Sequence, residues 1–379
     1  MNDLTPLRRI HAPPSNDVTV EIVRGLAAFE TMQSEWDALF RRSAAPHQIF
    51  QNHAFLRAWA RAYAGGGADL IVVAVRATGR LVAIVPLVRR RRLGVEVLQF
   101  MGAPVAQFDD ILLDDSHAGP ALEAIRMAVA GLGADLLEAR RVREDGAFWR
   151  MPGQKPFVFE EMHAPFADLA TRVADGEPGQ AYSSKDRSNY RRRLRRLGER
   201  GKLEFRSTGP GAEAAELATQ AVTIKAAALR QDGVDWGTVG CAKFSDFFRR
   251  LATDPASGLL VSIIELDDRP IGIDLSFLCK GVGFGHVLAT DGAFDKEGLG
   301  QMLVHHVFAE AKAKGVRRFD LLAPADPYKR HHADGATRVE SRAYAFTAKG
   351  RLAARIGYKL AISAARKLPR SLIRRLRGE

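Results

Sequence analysis

Apolar residues recur along this chain at two spacings. From Leu259 to Leu266 and from Ile271 to Cys279, β-branched and aromatic residues run almost unbroken, joined by Asp267-Asp268-Arg269-Pro270; Phe284 to Thr290 follows across Lys280-Gly281-Val282-Gly283. Short apolar runs bounded by turn residues predict a three-strand meander. Beyond residue 298 the spacing changes. Leu299, Leu303, Val307 and Ala311 fall at helical intervals, with Val304 and Phe308 widening the stripe, until Gly315. A helix stopped by glycine is predicted, followed by a returning strand from Val316 to Leu322.

The first half has the same order of elements. Helical patterns cover Ala27 to Arg41 (Phe29, Met32, Trp36, Leu39, Phe40) and Asn52 to Tyr63, where Asn52 can act as N-cap. Three strands are predicted at Leu70–Arg76, Arg80–Val88 and Val95–Met101, then a helix at Pro120–Ala130 and a strand at Asp135–Ala139. In the second half, helices at Ala212–Arg230 and Ala242–Leu251 precede the meander. The repeat is one of element order, so the chain reads as two copies of one α/β (α+β) unit, mixed sheets flanked by helices. The expected division is a loose leader (1–17), a first domain (18–165), a linker (166–182), a second domain (183–348) and a basic amphipathic segment (349–379).

Length and composition agree with that division. A chain of 379 residues, 46% hydrophobic, has room for two or three domains with proper cores. Its first twenty residues lack an apolar signal region, and no apolar run approaches membrane-spanning length, so the expected place is the cytoplasm. Cys241 and Cys279 are too few for a disulfide framework or a zinc knuckle and read as buried thiols. The net charge of +12 is local: residues 185–206 carry +7 and residues 349–379 carry +9, which leaves −4 for the rest. In 349–379, Leu352, Ile356, Leu360, Ala364, Leu368, Leu372 and Leu376 stand four apart between basic residues, a pattern that either lies on anionic lipid at the inner membrane or caps the second domain. Arg89 to Arg92 read as a solvated hairpin.

Chemistry concentrates at Gly298-Leu299-Gly300, where glycines lead into a helix. Such an entry lets backbone approach a ligand, and the free N–H groups of the first turn favour an anion such as pyrophosphate. In the first copy, Asp114-Asp115-Ser116-His117-Ala118-Gly119 precedes the corresponding helix, and its acids would repel one. His305-His306 and His331-His332 are adjacent pairs whose side chains diverge, and no metal site is expected. No Gly-x-Ser-x-Gly, Walker A or Rossmann sequence occurs, which argues against a serine hydrolase, a P-loop enzyme or a dinucleotide-dependent one. No recognition helix accompanies the charge, so DNA is not an expected partner.

Taken jointly, several segments resemble the BioF2-like/CelD proteins, GNAT-superfamily chains associated by name with cellulose or exopolysaccharide biosynthesis. They are Trp36 with Leu39, Ile49-Phe50-Gln51, Gly79 to Leu87, Leu98 to Gly102 with Asp109-Asp110, Ser184-Lys185 with the arginine helix, Gly298 to Leu303, and Phe319 to Leu322 leading to Tyr328-Lys329. Lys296-Glu297, Pro324 and His332 stand where that family tends to have Ser-Pro, glycine and tryptophan. The resemblance implies two tandem GNAT-like domains, as in FemABX peptidyltransferases, and acyl transfer from acyl-CoA, acetyl-CoA or an acyl carrier protein to an amine or hydroxyl of a small molecule or glycan, with no tightly bound cofactor. It places the donor on Leu288, Ala289, Gly298, Gly300 and Gln301. Tyr328 is the expected acid, and Asp291, His286 and Asp320 are candidates for the base. Substrate contacts are expected from Asp109 and Asp110 on the acceptor side and from Lys185, Arg187 and Lys329. Two alternatives stay open: FemABX-like transfer from aminoacyl-tRNA, with the arginine helix on the RNA backbone, and a non-catalytic scaffold of a polysaccharide-synthesis complex.

Overall fold

The structure is a computed structural model that describes residues 18–65, 68–231 and 239–357. The expected leader, and the basic segment beyond residue 357, lie outside the described residues. In chain order the elements are β1 (Thr19–Arg24), α1 (Leu26–Thr31), α2 (Gln33–Ser43), α3 (His53–Tyr63), β2 (Asp69–Ala77), β3 (Arg80–Arg92), β4 (Val95–Phe100), β5 (Leu112–Leu113), α4 (Ala118–Gly131), β6 (Leu136–Arg143) and β7 (Phe157–Asp168). Then come α5 (Leu169–Arg172), β8 (Val173–Ala174), β9 (Glu177–Pro178), α6 (Ser184–Gly198), β10 (Leu203–Thr208), α7 (Ala212–Gln231), α8 (Ala242–Ala252), β11 (Leu259–Leu266), β12 (Arg269–Cys279) and β13 (Val282–Thr290). The last are α9 (Leu299–Ala313), β14 (Arg318–Asp320), α10 (Pro327–His332), β15 (Gly335–Ala345) and α11 (Ala348–Leu352).

These elements form two compact units, residues 1–162 with 338–379, and residues 163–337. In the first, the strand order is β1-β2-β3-β4-β6-β15, antiparallel except for the parallel pair β4 and β6. Its core sets Ala121, Leu122, Ile125 and Val129 of α4 against Val73, Val85, Leu98 and other sheet residues. In the second, the order is β7-β14-β13-β12-β11-β10, antiparallel except for the parallel pair β13 and β14. There the apolar stripe of α9 buries Leu299, Met302, Leu303, Val307 and Phe308 with Ile264, Ile271 and Phe319. Each such side chain contributes about 1.5–3 kcal/mol by leaving water. Both units thus hold helices, then a meander, a helix and a strand parallel to the meander's third.

The division does not fall in a linker at 166–182. Residues 166–168 pair with β14, and α5 and the β8–β9 hairpin follow directly. Residues 338–345, expected in the second domain, belong to the first unit, because β15 pairs with β6 from Val339 opposite Arg143 to Ala345 opposite Leu136. Arg90 and its neighbours, read from sequence as a solvated hairpin, extend β3 to Arg92 and pair with β4. Cys279 is buried as expected, whereas Cys241 is only half-buried. Among the described residues no helix is long and apolar enough to cross a membrane.

Candidate functional site

The parallel pair of the second unit is short. β13 runs from Val282 to Thr290 but pairs with β14 only through Val282, Gly283 and Phe284. The pairing with β14 therefore stops six residues before β13 ends, and Leu288 and Ala289 lie beyond it. A register shift against β12 leaves His286 unopposed between Gly285 and Val287, and such a bulge bends the strand at this point. β13 then leads through a short turn to Gly298, which has φ +71 and caps α9. A Cβ at Gly298 would lie 2.7 Å from the guanidinium carbon of Arg193, the movable end of a long side chain, so the positive φ rather than space favours glycine. At Gly300 the nearest atom to an added Cβ is a Leu288 methyl at 3.9 Å, so this helix entry is open.

β12 supplies a group that sequence reading passed over. An added Cβ at Gly272 would meet Leu303 and Leu299 of α9 at 3.5 and 3.7 Å, so this face of β12 looks toward α9. Side chains alternate along a strand, and Asp274 and Ser276 share that face. Asp274 is 3% exposed and accepts a hydrogen bond from Ser276 Oγ. Ser262, opposite it on β11, has no hydrogen-bond partner for its hydroxyl. Burial pushes the Asp274 carboxyl up to about 7, with the Ser276 hydrogen bond opposing. Tyr328 on α10 is 47% accessible, yet its hydroxyl end is enclosed: burial first, then the charges of Asp326 and Asp274, raise the phenol to about 12. A carboxyl that titrates near neutrality thus lies within electrostatic reach of a phenol that stays protonated.

Other expected site residues have structural partners. Asp291 accepts the Ala293 N–H at 3.0 Å and pairs with Arg269 at 2.7 Å. Asp320 is buried and accepts the Leu322 N–H at 2.8 Å. His286 stands edge-on to Phe248 and Phe277. Lys329 is buried, its Nζ donating to the Leu322 carbonyl at 3.0 Å. On α6, Lys185 is exposed, and Arg187 donates to the Tyr182 carbonyl and to Ser184 Oγ. In the first unit, Asp110 accepts from His47 and Gln48, both at 2.9 Å, and from the N–H groups of Ile111, Ala147 and Phe148. Burial works against its charge, but these donors, His47 first, hold the carboxyl below its usual range. Asp109, adjacent, accepts the Arg140 N–H at 2.7 Å, and burial pushes it up to about 7.

One histidine of the first pair meets one of the second. His305 of α9 lies 5.4 Å from the His332 ring, and His331 lies 5.0 Å from it. Tyr182 joins them through a 2.6 Å hydrogen bond between its hydroxyl and His332 Nδ1, while His306 turns to the Arg206 carbonyl at 2.9 Å. Burial lowers His305 to about 4 and lowers His332 as well, so both rings are neutral at physiological pH. Among the described residues no three His, Cys, Asp or Glu side chains are grouped to hold a metal ion.

Residues 184–330 match the family model of an acetyltransferase (GNAT) domain. That span lies within the second unit and contains the β13 cleft, Asp274 and the entry to α9, so the chain carries a GNAT-type acetyltransferase domain. None of the curated protein sequences matches it. Among solved structures, FemX is similar with a TM-score of 0.60 at 12% identity, over 86% of this chain and 98% of that one. L-PGS from Bacillus licheniformis is similar with a TM-score of 0.52 at 14% identity, over 86% and 95%. At such identities the likeness is one of fold. It spans both units, whose repeated order is that of tandem GNAT-like domains.

Proposed function

We propose that this protein transfers an acyl group from acyl-CoA to an amine or hydroxyl of a sugar, polysaccharide or lipid precursor of the cell envelope. The observation that carries this reading is that β13 runs on past Phe284, its last pair with β14, and leads to the glycine entry of α9. An extended pantetheine arm can hydrogen-bond along such a strand end, and the diphosphate then meets the first turn of α9. The Leu288 N–H, which faces away from β12, would stabilise the oxyanion of a thioester under attack. As the acceptor nitrogen or oxygen bonds to the acyl carbon, Asp274 takes its proton. As the carbon–sulfur bond breaks, Tyr328 gives a proton to the thiolate. Assignment to BioF2-like/CelD proteins, and with it the polysaccharide acceptor, rests on the sequence resemblance; an acyl carrier protein as donor and anionic lipid as a docking surface belong to the same reading.

A second reading, transfer from aminoacyl-tRNA, is favoured by the exposed Lys185, Arg191, Arg192, Arg195 and Arg196 on α6, suited to an RNA backbone. Calorimetric titration of CoA and acetyl-CoA into the wild-type chain and Gly300→Glu separates the two. Micromolar binding that tRNA does not displace and that the substitution abolishes supports the CoA enzyme. Absence of CoA binding would sink it.

A further inference from the structure

A cleft of about 100 Å³ lies between α6 and α9, several times the roughly 10–15 Å³ that one water needs. Its floor is His305, 8% exposed, whose ring nitrogens have no hydrogen-bond partner among the described residues. Neither nitrogen is sealed from solvent, so both stay available to a ligand that enters the cleft. Around it stand the Tyr190 phenol, kept protonated by burial, the Arg193 guanidinium, and the amides of Asn189 and Gln301. Asn189 Oδ1 already accepts from Arg192 at 2.9 Å, and Gln301 Oε1 already accepts from Arg193. What these amides have left to offer is their NH₂ groups, so the lining is rich in donors. Its one carboxylate, Asp186, is occupied by Ser183 Oγ at 2.6 Å.

Arg193 adds an electrostatic reason. It rests on Gly298, at the N-terminus of α9, where the helix dipole is positive. A cation held at that end is unfavourable unless an anion joins it. Gln301 and His305 lie three and seven residues beyond Gly298, roughly 4.5 and 10 Å along the axis at about 1.5 Å per residue. The cleft therefore begins where a diphosphate on the first turn would end.

We propose that this cleft binds a phosphate monoester, the ribose 3′-phosphate of the CoA donor, through Tyr190, Arg193, Asn189, Gln301 and His305. The inference rests on the CoA reading above and adds to it a reason for preferring CoA over a donor whose terminal adenosine lacks that phosphate. The test is calorimetric titration of CoA and of 3′-dephospho-CoA into the full chain, wild type, Tyr190→Phe and His305→Gln, with melting curves to confirm folding. Wild type is expected to bind CoA at least ten-fold more tightly than dephospho-CoA, and each folded variant to bring the ratio below about three-fold. Equal binding of the two ligands by wild type would overturn the phosphate site while leaving the CoA reading intact; with saturable binding of inorganic phosphate, it would assign the cleft to another phosphorylated ligand. An undiminished preference for CoA in both variants would also overturn it, by placing the phosphate elsewhere. If neither ligand binds, the CoA reading itself falls.

Discussion

The sharpest consequence of the proposed chemistry is that Asp274 should weaken the fold it belongs to. Its carboxyl ordinarily titrates at 3.8 and is pushed up to about 7 in the folded chain. Each pKa unit corresponds to about 1.4 kcal/mol, so ionised Asp274 costs the native state about 4 kcal/mol at high pH. The sign follows from proton linkage. The folded chain holds the proton more tightly, so this stability is fully present below pH 3.8, declines as pH rises, and is lost above about 7. Asp274→Asn keeps the shape and can still accept from Ser276, but has no proton to lose. Urea unfolding of both chains by circular dichroism at pH 5, 6, 7 and 8 measures the effect. The variant should gain on wild type by roughly 2–3 kcal/mol between pH 5 and 8. Asp109, likewise pushed up to about 7, is present in both chains and cancels in the difference. The same variant should lose acyl transfer while still binding CoA. A stability difference that stays flat across this range would refute the assigned carboxyl, and a fully active Asp274→Asn would refute its role as base.

Three further outcomes can be measured. Gly298→Ala must adopt φ +71 and displace Arg193, so it should cost about 1–2 kcal/mol in thermal melts and weaken CoA in titrations. His305, lowered to about 4 by burial, contributes stability that is present above pH 6.5 and lost as pH falls toward 4; the loss of about 3 kcal/mol should be absent in His305→Gln, by acid unfolding followed with circular dichroism. Asp110→Ala leaves His47, Gln48 and three N–H groups without their acceptor inside the first unit, and urea unfolding should show about 3–5 kcal/mol lost.

What the sequence made legible was whatever is local. The meander at 259–290, the stripe of α9 and the glycine entry are each written in adjacent residues: apolar runs, turn residues between them, and a helical interval. Asp274 was hidden in one of those runs, because Ile271 to Cys279 was read for its strand propensity alone. An acid and a serine two apart in a strand otherwise apolar on both faces is the signal that would have marked it. The histidines escaped for a different reason. Within the first pair the side chains do diverge, but the rings of His331 and His332 lie 5.0 Å apart, and His305 meets His332 because α10 folds back on α9, a contact of 27 positions' separation that no local spacing encodes. The domain boundary was misplaced likewise, since the pairing of β15 with β6 joins residues almost two hundred apart.

The two copies differ at the places where the proposed donor site would form. In the first unit the parallel contact runs through Val97, Leu98 and Gln99, and β4 ends at Phe100, one residue later. In the second, β13 continues for six residues past its last parallel pair. The third strand thus ends with its parallel pairing in one unit and outruns it in the other. The helix entries differ in the same sense: Asp114 occupies the turn before α4, accepting from Ser116 and pairing with Arg42 and Arg80, whereas Gly298 opens α9 beside Arg193. An acid that already satisfies its own turn has no use for an anion, while Arg193, at a positive helix end, has no carboxylate paired with it among the described residues. On the proposed reading, divergence at these two short stretches, the length of one strand and the residues that start one helix, would confine the donor to the second unit and leave the first to take the acceptor.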